Sequence, residues 1–539
     1  MKSATQSFAS VSSPYNPGKQ ILLLITFAIA LLALVPLFLT RFLPINDYPF
    51  HLGRMVILAQ LADPTMGRFY QLGSFLLPNV GMDAVVVPMS ELMGPELATR
   101  VFVGLTLLFM LLGAMALHWA AHRRLSVWPL LALTVLHNGI FRFGFFNYLF
   151  GLGLAFAAAA LWLVMRKGLG QLAVAFIACI VLIFCHMEAF GVYALIVGGV
   201  ELQKAIAAWM RTKSLAPVGG LFYSATPFVL TLVLFVLLSP TAGVIGSGLA
   251  YDPGLGTKPI GALYALSSGV LWLDAVTAAT VLAACAWLLA TGRAVISWPL
   301  ATACFLVLLA FVALPSSIMG SLYADTRLAP AIAILAMISL DIRADAPKFV
   351  PWTIVAVALV LAVFRMGILS SIWVRYDSQI APIVKALDGI EPGATLFAIT
   401  SEQYPRLIAN TPERVAAWNP PVKHVASYAV LHGPVFVPMT FADPTKQPLI
   451  VSNVYQQVKD FQGENPTLVT NQKALTAFLA TLQAHLDSSD WPHIDLPYVL
   501  VMGRQNLEPM ELPATLIRVA QGDKFVLLRF SKRQEKNAQ

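Results

Sequence analysis

Apolar runs about as long as a bilayer is thick constrain this chain more than any other feature. The stretch 21–40, ILLLITFAIALLALVPLFLT, carries no charge. Roughly 20 such residues in a helix cross the ~30 Å hydrocarbon core, and similar runs recur as far as residue 371. Lipid offers no hydrogen bonds, so each run must satisfy its own backbone as a helix. Only 12% of the 539 residues are charged and 58% are hydrophobic, against roughly 25% charged in soluble domains. A polytopic α-helical membrane protein is the expected fold class.

Further spans are expected at 100–120, 127–145, 148–165, 171–186, 188–203, 218–238, 269–291, 297–315, 328–341 and 349–371, making about eleven in all. The pair within 171–203 and the stretch 328–341 are short for full crossings. The first run has no small-residue cleavage site after it and reads as an uncleaved span. If residues 1–20 are a cytoplasmic tail, the connectors on that side are His122–Arg124, Arg166-Lys167, Lys204 to Lys213, Arg293 and Arg343 to Lys348. All are basic, as cytoplasmic loops tend to be. An odd number of spans then sets the C-terminus outside.

The net charge of +8 is therefore a topology signal and not a nucleic-acid footprint; no nucleic-acid partner is expected. The four cysteines lie in apolar runs without a C-x-x-C, which suggests neither disulfides nor a zinc site. Ser and Pro at 3–17 suggest a disordered tail. The first outside loop, 41–99, is mixed and Pro-bearing, and its piece HLGRMVILAQLADP suits a short interfacial helix.

From about Tyr376 the composition becomes that of a soluble domain. Helix patterns at Ile380–Leu387 and Asn471–Leu486 alternate with strand patterns at Ala394–Thr400, Pro434–Phe441 and Pro497–Met502; Leu516–Ala520 and Phe525–Phe530 read as a closing hairpin. The expected division is thus 21–375, a transmembrane catalytic domain, and 376–539, an extracytoplasmic α/β domain.

This topology puts Asp47, His51, Arg54, Arg142, Asn147, His186, Glu188, Asp325 and Arg327 at one membrane face. Polar groups at membrane depth normally face protein or a water-filled cavity. Asp47, in P-I-N-D-Y-P-F-H-L-G-R-M, is the candidate general base; the plain alternative is that it caps a helix. Arg54, Arg142 and Arg327 suit a phosphate, or snorkel to headgroups; for Arg327 the competing expectation is a structural ion pair with Asp325. His186 and Glu188 break an apolar stretch and suit a sugar hydroxyl, proton transfer or a divalent metal ion. A lone H-x-E is a weak metal pattern, so no cofactor is fixed. Asp83 or Glu91 are candidate second carboxylates. His137 reads as a core histidine, and the aromatic run Phe141–Phe150 as an interfacial belt or a substrate platform.

An Asp directly after the first span, interfacial helices behind it, the H-x-E turn, F-R-F-G-F-F-N-Y-L-F-G-L-G between spans and a late A-D-x-R resemble the GT-C superfamily of integral-membrane glycosyltransferases. So does the plan of many spans followed by a soluble domain. The resemblance implies a polyprenyl-phosphate-linked sugar donor lying between helices and a glycan, lipid or protein acceptor at the extracytoplasmic face of a bacterial inner membrane. Asp47 then serves as base or acceptor-orienting group. The loop departs from the family in carrying one Asp and not an Asp-Asp or Asp-Glu pair. A polysaccharide polymerase or ligase, a secondary transporter and a scaffold protein are the alternatives; no repeated half supports the transporter.

Overall fold

A computed structural model of the chain describes residues 17–213, 218–240, 248–251, 257–318, 321–401, 422–488, 491, 494–507 and 509–531. The expected disordered tail lies outside them as far as residue 16. Among the described residues, seven helices are long and apolar enough to cross a membrane: 20–39, Pro95–His122, Phe146–Val164, Met187–Thr212, Gly219–Leu238, Leu271–Ala290 and Phe349–Leu387. Leu169–Cys185 and Leu328–Ser339 are apolar and shorter, as their run lengths suggest, and so is Trp298–Ala313; the run at 188–203, expected to be short, instead lies in the 26-residue helix Met187–Thr212.

The stretch expected to span at 127–145 is not one helix. It is a 3-10 helix, Trp128–Val135, followed by the short helix Gly139–Phe143. Pro129 opens the first piece, and the Asn138 side chain breaks the run by capping the second through Phe141 N–H. Irregular backbone at this depth is tolerated because protein surrounds it. Residues 128–141 are buried, and Trp128 Nε1 donates to the Met337 carbonyl at 2.8 Å.

Inside the bundle, helices Pro95–His122 and Phe146–Val164 touch backbone to backbone at Gly113 and Gly153. A Cβ on Gly153 would lie 2.4 Å from the Phe109 carbonyl carbon, and one on Gly113 would lie 2.3 Å from the Gly153 oxygen. Small residues of this kind let membrane helices approach closely where no hydrophobic effect drives them together.

Helix Phe349–Leu387 has 39 residues, about 58 Å at 1.5 Å each, so it leaves the bundle and continues to the C-terminal region. The expected separate helix 380–387 is its last part, and the boundary at 376 falls within one rigid rod. Asp377 on this rod accepts the backbone N–H groups of Arg41 and Phe42 at 3.1 and 2.6 Å, fixing the exit of the first span.

The C-terminal sheet has strand order Leu516–Gln521, Phe525–Phe530, Pro497–Met502, Thr395–Thr400, Thr467–Leu468. The first two pairings are antiparallel and the last two parallel. Helix Gln472–Asp487 starts on an Asn471 cap, close to the expected bounds. The expected strand 434–441 is reduced to a single bridge, Phe436 to Thr395. Pro434 and Pro438 flank it, and proline has no N–H to give a ladder.

The first loop is stitched to this region. Tyr70–Leu72 pairs antiparallel with Leu449–Val451. Helix Tyr48–Ala59 is the expected short helix, yet every residue from Tyr48 to Leu58 is buried. It packs between the 3-10 helix Val425–Leu431 and the helices Gly81–Met93 and Pro95–His122, so it does not lie on lipid.

Candidate active site

Asn46 and Asp47 are held by the chain that follows the irregular segment. Asn46 N–H donates to the Arg142 carbonyl (2.8 Å) and Asp47 N–H to the Phe143 carbonyl (3.1 Å). Gly144 makes this approach workable: its φ is +97°, a left-handed conformation that favours glycine, and a Cβ there would stand 2.9 Å from the Asp47 Cβ. His51, one helical turn on from Asp47, returns its Nε2 to the Gly144 carbonyl at 2.9 Å.

Asp47 occupies the N-cap position of helix Tyr48–Ala59, but its carboxylate makes no capping hydrogen bond; Pro49 near the helix start removes one of the N–H groups a cap would serve. The carboxylate instead accepts from Asn46 Nδ2 at 2.5 Å and faces His424 Nε2 at 3.4 Å. Both residues line a cavity of about 760 Å³, within the size range of small-ligand sites. His51, Asn147, His186, Glu188 and Arg327 line it too, together with Lys423, Lys446 and Lys459.

Five parts of the chain therefore converge: the first loop, the turn before helix Phe146–Val164, the His186 turn, the stretch around Arg327, and the C-terminal region. Arg327 is almost wholly buried. Its Nη1 reaches Glu188 Oε1 at 3.1 Å and His186 Nε2 at 3.3 Å, and its Nη2 donates to Ser321 Oγ and the Leu322 carbonyl at 2.9 and 2.6 Å. Phe145 lies under the guanidinium, 4.2 Å from it. The cation between His186 and Glu188 in this arrangement is a guanidinium. Asn147 pins the cavity wall, accepting from Met82 N–H at 2.6 Å and donating to Asn79.

Three residues expected at this site do not line it. Arg54 forms a fully buried bidentate pair with Asp83, at 2.8 and 3.0 Å, so Asp83 serves Arg54 and is not a second carboxylate beside Asp47. Arg142 turns its side chain toward Gly269 and the charge of Asp274. Asp325 pairs with Lys258 at 2.7 Å and not with Arg327. Charges of this kind stay near one another in sequence while folding sends them to different partners.

The C-terminal contribution was missed by reasoning from the sequence. Lys423, His424, Asp443, Lys446 and Lys459 come from a region read only for its strand and helix patterns; the sole signal was the pair Lys423-His424 after Pro420-Pro421. Burial lowers the Lys423, His424 and Lys459 pKa values, with the Asp47 charge opposing it at Lys423 and His424. Lys446 pairs with Asp443 at 3.3 Å, and Asp443 is held below the usual carboxylate range by hydrogen bonds from Thr445 and by the Lys446 charge, against its burial. Burial first and the Arg54 charge second bring His51 down to about 3, so it is neutral at physiological pH.

Such a site pairs an accessible carboxylate with cations that line the same cavity. It can take a proton from a hydroxyl and stabilise an anionic leaving group in one enclosed space.

The chain is thus a helical membrane bundle with a buried first-loop helix and a C-terminal mixed sheet over a shared cavity. The particular likeness is to ArnT. Two crystal structures of ArnT from Cupriavidus metallidurans, one bound to undecaprenyl phosphate and one in the apo state, each align with a TM-score of 0.53 and 12% identity, over 95% of this chain and 98% of theirs. The likeness is one of fold across nearly the whole of both chains. No family model and no curated protein matches the sequence.

Proposed function

We propose that the chain is a membrane glycosyltransferase that moves a sugar from a polyprenyl-phosphate donor to a hydroxyl of an envelope glycan, lipid or protein. The observation that carries this reading is the uncapped Asp47 carboxylate facing a cavity whose other walls bring Arg327, Lys423, Lys446 and Lys459. The fold shared with a protein crystallised with undecaprenyl phosphate supports the donor class.

Asp47 takes the proton as the acceptor oxygen forms its bond to the anomeric carbon. The bond from that carbon to the donor phosphate breaks, and its electron pair leaves on the phosphate oxygen, beside the cations. The apolar side of the cavity, with Val192, Leu195, Phe235 and Ala310 from three separate helices and Leu314 just beyond the last, suits the polyprenyl chain. Basic connectors collect at the other end of the bundle, where Arg293 carbonyl accepts from Arg343 N–H at 2.7 Å. That supports a cytoplasmic N-terminus and an extracytoplasmic cavity in a bacterial inner membrane.

The test is transfer of radiolabelled sugar from a polyprenyl-phosphate donor pool to envelope material by wild type and Asp47→Asn. Loss of transfer of about 10²-fold or more, in a variant that inserts and folds normally, is the expected result. Equal transfer by both proteins would remove Asp47 as base.

A further inference from the structure

At the end of the bundle remote from Asp47, helix Pro95–His122 finishes on two histidines one turn apart. Its first turn stands by the first loop, where Glu96 meets Arg41, and His118 is roughly 33 Å further along the axis at 1.5 Å per residue. The His118 and His122 rings stack with centroids 4.4 Å apart. Asp341, from the strand Leu340–Ile342, is fully buried beside them. One ring nitrogen of each histidine and one oxygen of Asp341 all lie within 4.8 Å of one another.

Two observations separate this group from an ordinary buried ion pair. His118 is 1% exposed and its Nε2 has no hydrogen-bond partner among the described residues. That nitrogen stands 3.6 Å from Asp341 Oδ1, too far for a good hydrogen bond. It is close to the ~3.4 Å edge of a tetrahedron built on ~2.1 Å metal–ligand bonds. The carboxylate is held in place by Arg124 Nε on Oδ2 at 2.5 Å, and by Ser126 Oγ and the Ile342 N–H on Oδ1 at 2.5 and 2.7 Å; carboxylates that ligate metals are commonly oriented by such bonds. A pocket of about 230 Å³ lined by His118, Trp119, Arg124 and Ser126 adjoins the group and has room for water to complete a coordination shell.

We propose that His118, His122 and Asp341 bind a divalent first-row transition-metal ion of the zinc class. Two imidazoles with a single carboxylate oxygen favour zinc over magnesium or calcium, which require mostly oxygen ligands. The ion fastens the end of helix Pro95–His122 to the two-stranded pairing of Ala294–Ile296 with Leu340–Ile342. Those strands sit between successive apolar helices, so the site ties together connectors at the face opposite the cavity. This assignment is independent of the glycosyl-transfer reading.

The full chain, purified in detergent with any affinity tag removed and stripped with EDTA, is dialysed against micromolar zinc and its metal content measured by mass spectrometry. About one equivalent of zinc is expected in the wild type and in Asp47→Asn, and less than about a tenth of that in His118→Asn and His122→Asn. Zinc should also raise the unfolding temperature of the wild type and not of the two histidine variants. Should those variants fail to fold, cobalt loading of the wild type decides: the visible d–d bands of a low-coordinate nitrogen–oxygen site are expected. Absence of bound zinc and of cobalt bands in the wild type, or full retention of zinc in folded His118→Asn and His122→Asn, would overturn the proposal.

Discussion

Asp47 Oδ1 and His424 Nε2 stand 3.4 Å apart, joining the first loop to the far C-terminal region across the mouth of the cavity. Phe50 stacks on the His424 ring with centroids 3.7 Å apart, so helix Tyr48–Ala59 fixes both partners. Burial lowers the His424 pKa below the usual histidine value, against the opposing hydrogen bond and charge of Asp47. In the proposed reaction His424 would act as a positioning residue for the carboxylate. His424→Ala should lower kcat for sugar transfer by about 10²-fold with a smaller change in KM, because misplacing a reacting group by about 1 Å costs that much. A KM effect with unchanged kcat would assign His424 to acceptor binding instead.

His51 gives the fold a pH dependence of known sign. Its folded pKa is about 3, below the usual 6.5, owing first to burial. The unfolded chain takes up this proton near pH 6.5, and the folded chain refuses it until about pH 3. The contribution of His51 is therefore complete above pH 6.5 and is lost as pH falls through that window, at up to about 1.4 kcal/mol per pH unit. His51→Gln keeps a donor for the Gly144 carbonyl and removes the titration. Thermal unfolding in detergent between about pH 7 and pH 5 should show a shallower loss in the variant than in the wild type.

Arg54 and Asp83 form a pair with no exposed side-chain surface. Removing one partner leaves a charge buried alone, which costs about 3–5 kcal/mol, whereas replacing both by apolar residues is often neutral. Arg54→Met and Asp83→Leu should each lower the apparent unfolding temperature sharply, and the double variant should recover most of the loss. Failure of the double variant to recover would mean that the pair also sets local geometry.

The membrane bundle was legible because hydropathy over some 20 residues is a local property, and the closing hairpin because alternation and a turn are local too. The segment after Trp128 was not, since its apolar composition hid an Asn138 cap and a 3-10 path. Asp47 could be singled out as a charge placed where it is costly. Its freedom from capping could not, because that depends on where Asn46 and His424 stand. Asp325 and Arg327 are neighbours in the chain, yet Lys258 and Glu188 claim them separately. The cavity's lysines remained hidden because a lysine in a soluble-looking region carries no sign of which wall it faces.

Arg327 is where geometry and not charge alone should matter. Its guanidinium contacts Glu188, His186, Ser321 and the Leu322 carbonyl at once and stacks on Phe145. Its buried Nε has no hydrogen-bond partner among the described residues, and both Nη atoms are already engaged by these protein groups. An ammonium group is a point charge and cannot reproduce that fork. Arg327→Lys should therefore lower kcat/KM for a polyprenyl-phosphate sugar by about 10²-fold. The loss should appear with the full donor and persist at saturating acceptor, since in the proposed reaction its charge stabilises the departing phosphate. Lys423→Ala and Lys459→Ala provide the comparison. If they abolish transfer while Arg327→Lys leaves kcat/KM unchanged, the phosphate belongs on the C-terminal wall, and Arg327 holds Glu188 and the His186 turn in place.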